Sequence, residues 1–302
     1  MSIQVHELTK IYGEQKALDN VSFSIPEGEV VGFLGPNGAG KSTCMKILTA
    51  FIPPNAGRAE VAGHDVENES LELRQKVGYL PEHNPLYLDM YVKEFLHFIA
   101  RIHQLDRPQL RVREMIGITG LDREENKKIG YLSKGYRQRV GLAQAMIHDP
   151  EVLILDEPTA GLDPNQLSEI RKLISDFGKN KTVLFSSHIM QEVQAICDRV
   201  IIINKGKIVA DENIDLLSRN RDDTEVVRLK LKEAVSRKQL ESIPEVKNLT
   251  VNGESYELVF DSNSGGVEKV FQWVNENRFT VLHLERKESS LEDIFQLLTK
   301  ES

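Results

Sequence analysis

The nine residues Gly35-Pro36-Asn37-Gly38-Ala39-Gly40-Lys41-Ser42-Thr43 combine the types that hold a phosphate chain. Glycines let the backbone wrap tightly, so that several N–H groups point at one spot. The apolar, β-rich run Glu29-Val30-Val31-Gly32-Phe33-Leu34 precedes them, and Met45, Ile47 and Leu48 follow at helical spacing. A strand, a glycine-rich turn and a helix N-terminus make an anion cradle, to which the helix dipole adds partial positive charge. The pattern predicts a nucleoside triphosphate held by Gly35, Asn37, Gly38, Ala39, Gly40 and Thr43. Lys41 then reaches the β- and γ-phosphates, and the Ser42 hydroxyl ligates Mg²⁺.

Splitting a triphosphate also needs a metal ligand and a group that positions water. The run Val152-Leu153-Ile154-Leu155 ends in Asp156-Glu157, which places Asp156 at the tip of a buried strand facing the metal shell. Glu157 comes where the backbone leaves the sheet, so it can aim at the attacking water as general base. An Asp-Glu pair can equally be a solvated strand end; the phosphate loop upstream favours chemistry. Tyr12 closes a strand ahead of the loop, and its position leaves both half-buried packing and base stacking open.

These residues need a frame. Apolar runs at 77–80, 152–155, 182–186 and 199–203 alternate with helical patterns at 164–177 and 189–197, which predicts a parallel α/β sheet with ligands at the strand C-termini. From Asn84 to about Ile147 the pattern is helical: Val92, Phe95, Leu96 and Ile99 share a face, then come Pro108–Ile118 and a helix N-capped by Ser133. The polar stretch 219–224 reads as a linker. Beyond it the order is strand 225–232, helix 234–241, strands 246–252 and 255–260 joined at Asn252-Gly253, helix 267–276, strand 280–286 and helix 291–299. That is a βαββαβ, ferredoxin-like pattern with one extra helix, its core expected around Phe271 and Trp273.

With 302 residues there is room for one large domain and a small one. The net charge of −8 argues against a broad nucleic-acid surface, and Arg137 with Arg139 make too thin a patch to reverse that. Cys44 and Cys197 are expected as small core residues of a reduced compartment. No apolar run approaches the roughly 20 residues that span a bilayer, and the first eight residues read as a strand, so the protein is expected in the cytoplasm. His97 and His103 have no companions at metal spacing.

Leu132-Ser133-Lys134-Gly135-Tyr136-Arg137-Gln138-Arg139 resembles the signature motif of the ATP-binding-cassette (ABC) ATPases. Ala160-Gly161-Leu162-Asp163 is similar to their D-loop and Ser186-Ser187-His188 to their switch histidine. The resemblance covers residues 1 to about 215 with the motifs in order. It implies a P-loop NTPase with a RecA-like core over 1–218 and a helical subdomain inserted at about 84–148, to which the element order adds a C-terminal ferredoxin-like α+β domain over 225–302. It implies, too, a site shared by two chains of a homodimer or paralogue dimer, with Ser133 and Gly135 of one capping the γ-phosphate held by the other. Asp163 would cross the interface, His188 would contact the γ-phosphate and orient Glu157, and Tyr12 would stack on adenine.

The chain departs from the family pattern twice. Glu82 stands where the family has a Gln that meets the metal, which adds charge and removes an amide donor. Lys134 replaces the first signature glycine and is read as solvated. The apolar and aromatic run Leu86, Tyr87, Leu88, Met90, Tyr91 would, by the resemblance, receive a cytoplasmic helix of a separate transmembrane permease subunit. The closing residues 290–295 are similar to the tail of exporter-type subunits, the nearest subgroup being the gliding-motility-associated ATP-binding subunit.

Two functions compete on these grounds. One is an ATP-hydrolysing motor subunit of a membrane ABC transporter, held at the inner face of the membrane by its partner. The other is a soluble ABC ATPase acting on ribosomes or DNA. A single cassette, a compact insertion and an acidic balance favour the first. The C-terminal module reads as a structural or dimer-supporting appendage, with a small regulatory ligand as the alternative.

Overall fold

The computed structural model describes residues 1–214, 224–233, 235–240, 242–252, 255–261, 264–287 and 291–300. It divides into two compact units, Met1–Ile214 with Leu298–Ser302, and Asp215–Leu297.

Two sheets build the first unit. Strands β1 (Ile3–Tyr12), β2 (Gln15–Ile25), β4 (Ala56–Val61) and β5 (His64–Asp65) form an antiparallel sheet ordered β2-β1-β4-β5. The other is ordered β10-β9-β3-β8-β7-β6, from β3 (Val30–Leu34), β6 (Val77–Leu80), β7 (Val152–Leu155), β8 (Thr182–Ser187), β9 (Arg199–Asn204) and β10 (Lys207–Asn213). All its pairings are parallel except that of the edge strand β10. Burial on both faces explains the continuous apolar runs: every residue of β7 and β8 is buried.

Helices α1 (Lys41–Leu48), α2 (Ser70–Lys76), α6 (Pro164–Gly178) and α7 (Met190–Gln194) connect these strands. Between β6 and β7 are inserted α3 (Val92–Ile102), α4 (Pro108–Ile118) and α5 (Lys134–Met146). The parallel α/β sheet and the helical insertion are as expected. One core joins both sheets, with Phe23 and Phe33 packed at 5.6 Å between ring centroids.

Several local expectations are corrected. Helix begins at Val92 rather than Asn84, because Pro85 disfavours helix at the residue before it and the loop is pinned from outside. Gly130 N–H donates to Leu88 O (2.8 Å), Ile129 N–H to Met90 O (2.9 Å) and Val92 N–H to Lys127 O (3.0 Å). The helix after His188 runs only from Met190 to Gln194. Helix α2 was not signalled by the sequence; its seven residues bury only Leu73. The His103 ring stacks on that of His148, with 4.0 Å between ring centroids and 3° between planes. Cys44 and Cys197 are buried free thiols, and burial pushes Cys44 up to about 12.

The second unit comprises β11 (Thr224–Leu231), α8 (Arg237–Leu240), β12 (Asn248–Asn252), β13 (Ser255–Asp261), α9 (Gly266–Glu276), β14 (Val281–Lys287) and the start of α10 (Leu291–Lys300). Its sheet is antiparallel and ordered β12-β13-β11-β14, the ferredoxin-like arrangement that the element order implied. Trp273 is buried and packs on Phe279 at 5.3 Å, but Phe271 faces outward at 54 % exposure: one position off the Val270–Trp273–Val274 stripe, it misses the core. Residues 215–223, which hold most of the expected linker, together with Gly253 and Ser290, lie outside the described residues.

Candidate active site

The phosphate loop leaves β3 at its C-terminal end, where a parallel sheet opens its crevice. Gly38 and Gly40 take φ of +80° and +109°, a region that side chains rarely enter. A β-carbon on Gly40 would also collide with the carbonyl of Ala17. Gly35 and Ala39 lie behind the loop, where Gly35 N–H donates to Ser187 O (3.3 Å) and Gly206 N–H to Ala39 O (2.9 Å). The loop is therefore fastened to β8 and to the β9–β10 turn.

Lys41 is buried, and its Nζ donates to Gly35 O (2.7 Å) and Pro36 O (3.3 Å). The same ammonium lies 3.4 Å from Glu157 Oε1. Glu157 in turn accepts from His188 when the imidazole carries its proton on Nδ1, Nδ1 to Oε2 being 2.9 Å. Lysine, glutamate and histidine thus form a chain whose first two members are buried and whose last is exposed.

Neighbouring strand ends set this up. Asp156 and Glu157 leave β7, and Ser186, Ser187 and His188 leave β8 beside it. The Ser186 hydroxyl donates to Asp156 Oδ1 (2.7 Å) and accepts from Glu157 N–H (2.9 Å), so one side chain orders both carboxylate residues. Glu157 has φ of +49°, a left-handed conformation costly for a non-glycine residue. Without that turn the alternation of the strand would send its side chain away from Asp156's neighbourhood; with it, Glu157 enters the cleft.

One cleft of about 460 Å³ brings together Tyr12, Asn37, Gly38, Gly40, Lys41, Ser42, Thr43, Glu82, Glu157 and His188. Tyr12 is half exposed at its mouth, with Lys10 Nζ 5.5 Å from the ring centroid. Glu82 also lines the cleft and is exposed. Asp156 stays behind, 2 % exposed, and its bond from Ser186 leaves a second carboxylate oxygen. Oxygen donors from a hydroxyl and a carboxylate suit Mg²⁺, which prefers one or two such ligands plus water and phosphate to a protein cage. No group of three or more His, Cys, Asp or Glu able to hold a metal occurs among the described residues.

Ser133, Gly135 and Asp163 are absent from the described residues lining this cleft. Ser133 caps α5, accepting from Tyr136 N–H (3.4 Å), and Asp163 caps α6, accepting from Asn165 and Gln166 N–H (3.1 and 3.0 Å). The two helix starts adjoin, since a β-carbon on Gly135 would strike Gln166 and one on Gly161 would strike Lys134. Lys134 is otherwise exposed.

Sequence reading missed Gln15 and Ala17, and gave Ser186 and Ala160 no role beyond their place in a motif. Ser186 did leave a signal: a hydroxyl at the end of the fully buried run Val183-Leu184-Phe185 must find a partner.

Comparison with known proteins adds four findings. The family model described as ABC transporter matches residues 18–160. The chain is 35 % identical over 296 residues to the bacitracin transport ATP-binding protein BcrA of Bacillus licheniformis, covering 97 % of this chain and 95 % of that one. It is 32 % identical to the linearmycin resistance ATP-binding protein LnrL of Bacillus subtilis (strain 168), covering 98 % of each. Among solved structures, the dimeric post-hydrolysis state of the cassette MJ0796 bound to ADP and Pi superposes with a TM-score of 0.65 at 26 % identity, covering 70 % of this chain and 98 % of that one.

Proposed function

The chain belongs to the ABC transporter ATP-binding family, an ATPase family that binds ATP and uses Mg²⁺, and from that premise we propose that it is the ATP-hydrolysing motor subunit of an exporter-type membrane transporter. In this reading Gly38, Gly40 and the N-terminus of α1 cradle the phosphates, Lys41 and Thr43 bind them, and Tyr12 stacks on adenine. Ser42 and Asp156 would hold Mg²⁺, with Glu82 as a further carboxylate lining the same cleft as Ser42. The ion supplies charge neutralisation on the transferred phosphoryl group. Glu157 takes a proton from the attacking water, and His188 holds its carboxylate in place.

The observation that carries the reading is a division of labour. One cleft gathers phosphate loop, carboxylates and histidine, while Ser133, Gly135 and Asp163 are gathered elsewhere in the same unit. A helix N-terminus beginning Ser133-Lys134-Gly135 is an anion site without an anion-holding loop of its own. The site is completed by a second chain, a copy or a paralogue, arranged head to tail. Turnover per chain measured across dilution tests this: it is expected to vanish as dimers dissociate. Monomers that split ATP at full speed would refute it.

A membrane partner is supported by two surface features. No helix among the described residues is long and apolar enough to cross a membrane. Yet Tyr87, Leu88 and Tyr91 are about half exposed in an ordered loop. Close by in the same unit, a groove of about 400 Å³ is lined by Phe51, Tyr79, Ile102, His103, Gln144 and His148. Tyr79 Oη, Gln144 Oε1 and His148 Nδ1 are buried without a hydrogen-bond partner. We place the permease's cytoplasmic segment over this face, with the ATPase held peripherally at the membrane's inner side. The appended domain corresponds to the second unit, Asp215–Leu297. The antibiotic names of BcrA and LnrL support the exporter side; the gliding-motility subgroup is a narrower reading, supported only by residues 290–295.

A further inference from the structure

Glu192 is a buried carboxylate that none of the roles above uses. It is 2 % exposed on α7, and one of its oxygens, Oε2, accepts two hydroxyls, from Thr159 Oγ1 and from Ser187 Oγ, each at 2.6 Å. Both donors are themselves buried, at 2 % and 0 %. Burying a carboxylate is costly, and leucine would fill the space without that cost, so the directional contacts are what the position gains.

Their placement gives them meaning. Thr159 lies two residues after Glu157, in the turn closed by Ala160 N–H donating to Glu157 O (3.2 Å), on the way to Asp163. Ser187 lies one residue before His188, and its Oγ also accepts from Ile189 N–H (3.0 Å), so it clasps the histidine from both sides along the chain. Glu192 therefore holds the hydroxyls of two residues that lie within two positions of Glu157 and His188 along the chain. Its own footing is firm. A β-carbon on Gly32 would collide with Val193, so α7 lies tight against β3, the strand that feeds the phosphate loop.

We infer that Glu192 is a positioning residue, a two-armed strap joining the turn at Thr159 to the loop at Ser187, so that the setting of the turn leading to Asp163 fixes where His188 meets Glu157. The inference rests on the roles given to Glu157 and His188.

Steady-state ATPase assays on the full chain test it. Glu192→Ala is expected to lower kcat by about 10- to 10²-fold with the KM for ATP changed less than about threefold, the pattern of a misplaced catalytic group rather than a lost binding one. Glu192→Gln, whose carbonyl oxygen still accepts both hydroxyls, recovers most of the loss. Thr159→Val and Ser187→Ala each break one arm, so their double variant loses no more than the worse single one; two independent packing defects would multiply. That pair is decisive even if Glu192→Ala does not fold. Wild-type turnover in Glu192→Ala, no recovery in Glu192→Gln, or multiplying losses in the Thr159–Ser187 cycle would each overturn the strap. Glu157→Gln is assayed in parallel: if it turns over normally, the site assignment fails instead.

Discussion

Lys41 and Glu157 form a buried ion pair, Nζ to Oε1 3.4 Å, at the base of the phosphate loop. A lysine that must meet phosphates and a glutamate that must meet water begin as partners. When phosphate oxygens compete for the ammonium, the carboxylate is left to His188 and to the water it activates.

Glu157→Gln removes the competitor for Lys41 and the proton acceptor together. ATP affinity is expected to hold or rise, while turnover falls by about 10²–10⁴, the usual worth of a general base. Nucleotide binding with single-turnover kinetics checks both halves, and a sizing column with ATP should show a trapped dimer. Loss of binding alongside turnover would mean that Glu157 shapes the loop rather than the chemistry.

Gly40→Ala tests the cradle without touching a charge. The φ of +109° and the nearby Ala17 carbonyl leave no room for a methyl group, so the loop must rearrange. A cost of about 1–3 kcal/mol in stability is expected, together with loss of ATP binding. Gly13, which also has positive φ but open space around it, is the control: Gly13→Ala should be milder in both thermal melting and binding.

Much of this was legible beforehand for a physical reason. Buried parallel strands must be apolar throughout, so β3, β7, β8 and β9 announced themselves, and the loop and Asp156-Glu157 fell at their ends. Alternation and turn residues gave the second unit in the same way. Contacts between distant segments were not legible. Nothing local links Ser186 to Asp156, Glu192 to Thr159, or His103 to His148. The stretch 84–91 misled because its apolar residues serve a pinned loop instead of a helix face, and Phe271 because an aromatic beside Trp273 was assumed to share its side of α9.

His148 should make the first unit acid-sensitive. Burial, with His103 stacked on it and Arg111 near, pushes its imidazole down to about 4, against the hydrogen bond to Val77 O and the charge of Asp149. The unfolded chain binds this proton below about pH 6.5 and the folded chain only near 4, so stability is full above 6.5 and is lost as pH falls through that window. On the order of 2 kcal/mol is at stake between pH 7 and pH 5. Urea midpoints at the two pH values, followed by circular dichroism, should converge in His148→Phe. If the variant keeps the full pH dependence, other groups carry it.

Tyr87 and Tyr91 test the membrane face. The Tyr87 ring lies 6.0 Å from Phe95 and 5.8 Å from Phe98, yet 55 % of the residue remains exposed; Tyr91 is 48 % exposed at the start of α3. The aromatic surface is thus braced from below by a helix and open above, which suits an apolar helix laid across it. Removing both rings costs the chain little packing, since neither is in the core, so a folded double alanine variant should still bind ATP. What it should lose is the partner. Co-purification of the variant with its membrane subunit is expected to fall about tenfold or more, as when aromatic anchors leave an interface. Undiminished recovery with the membrane fraction would move the docking face elsewhere.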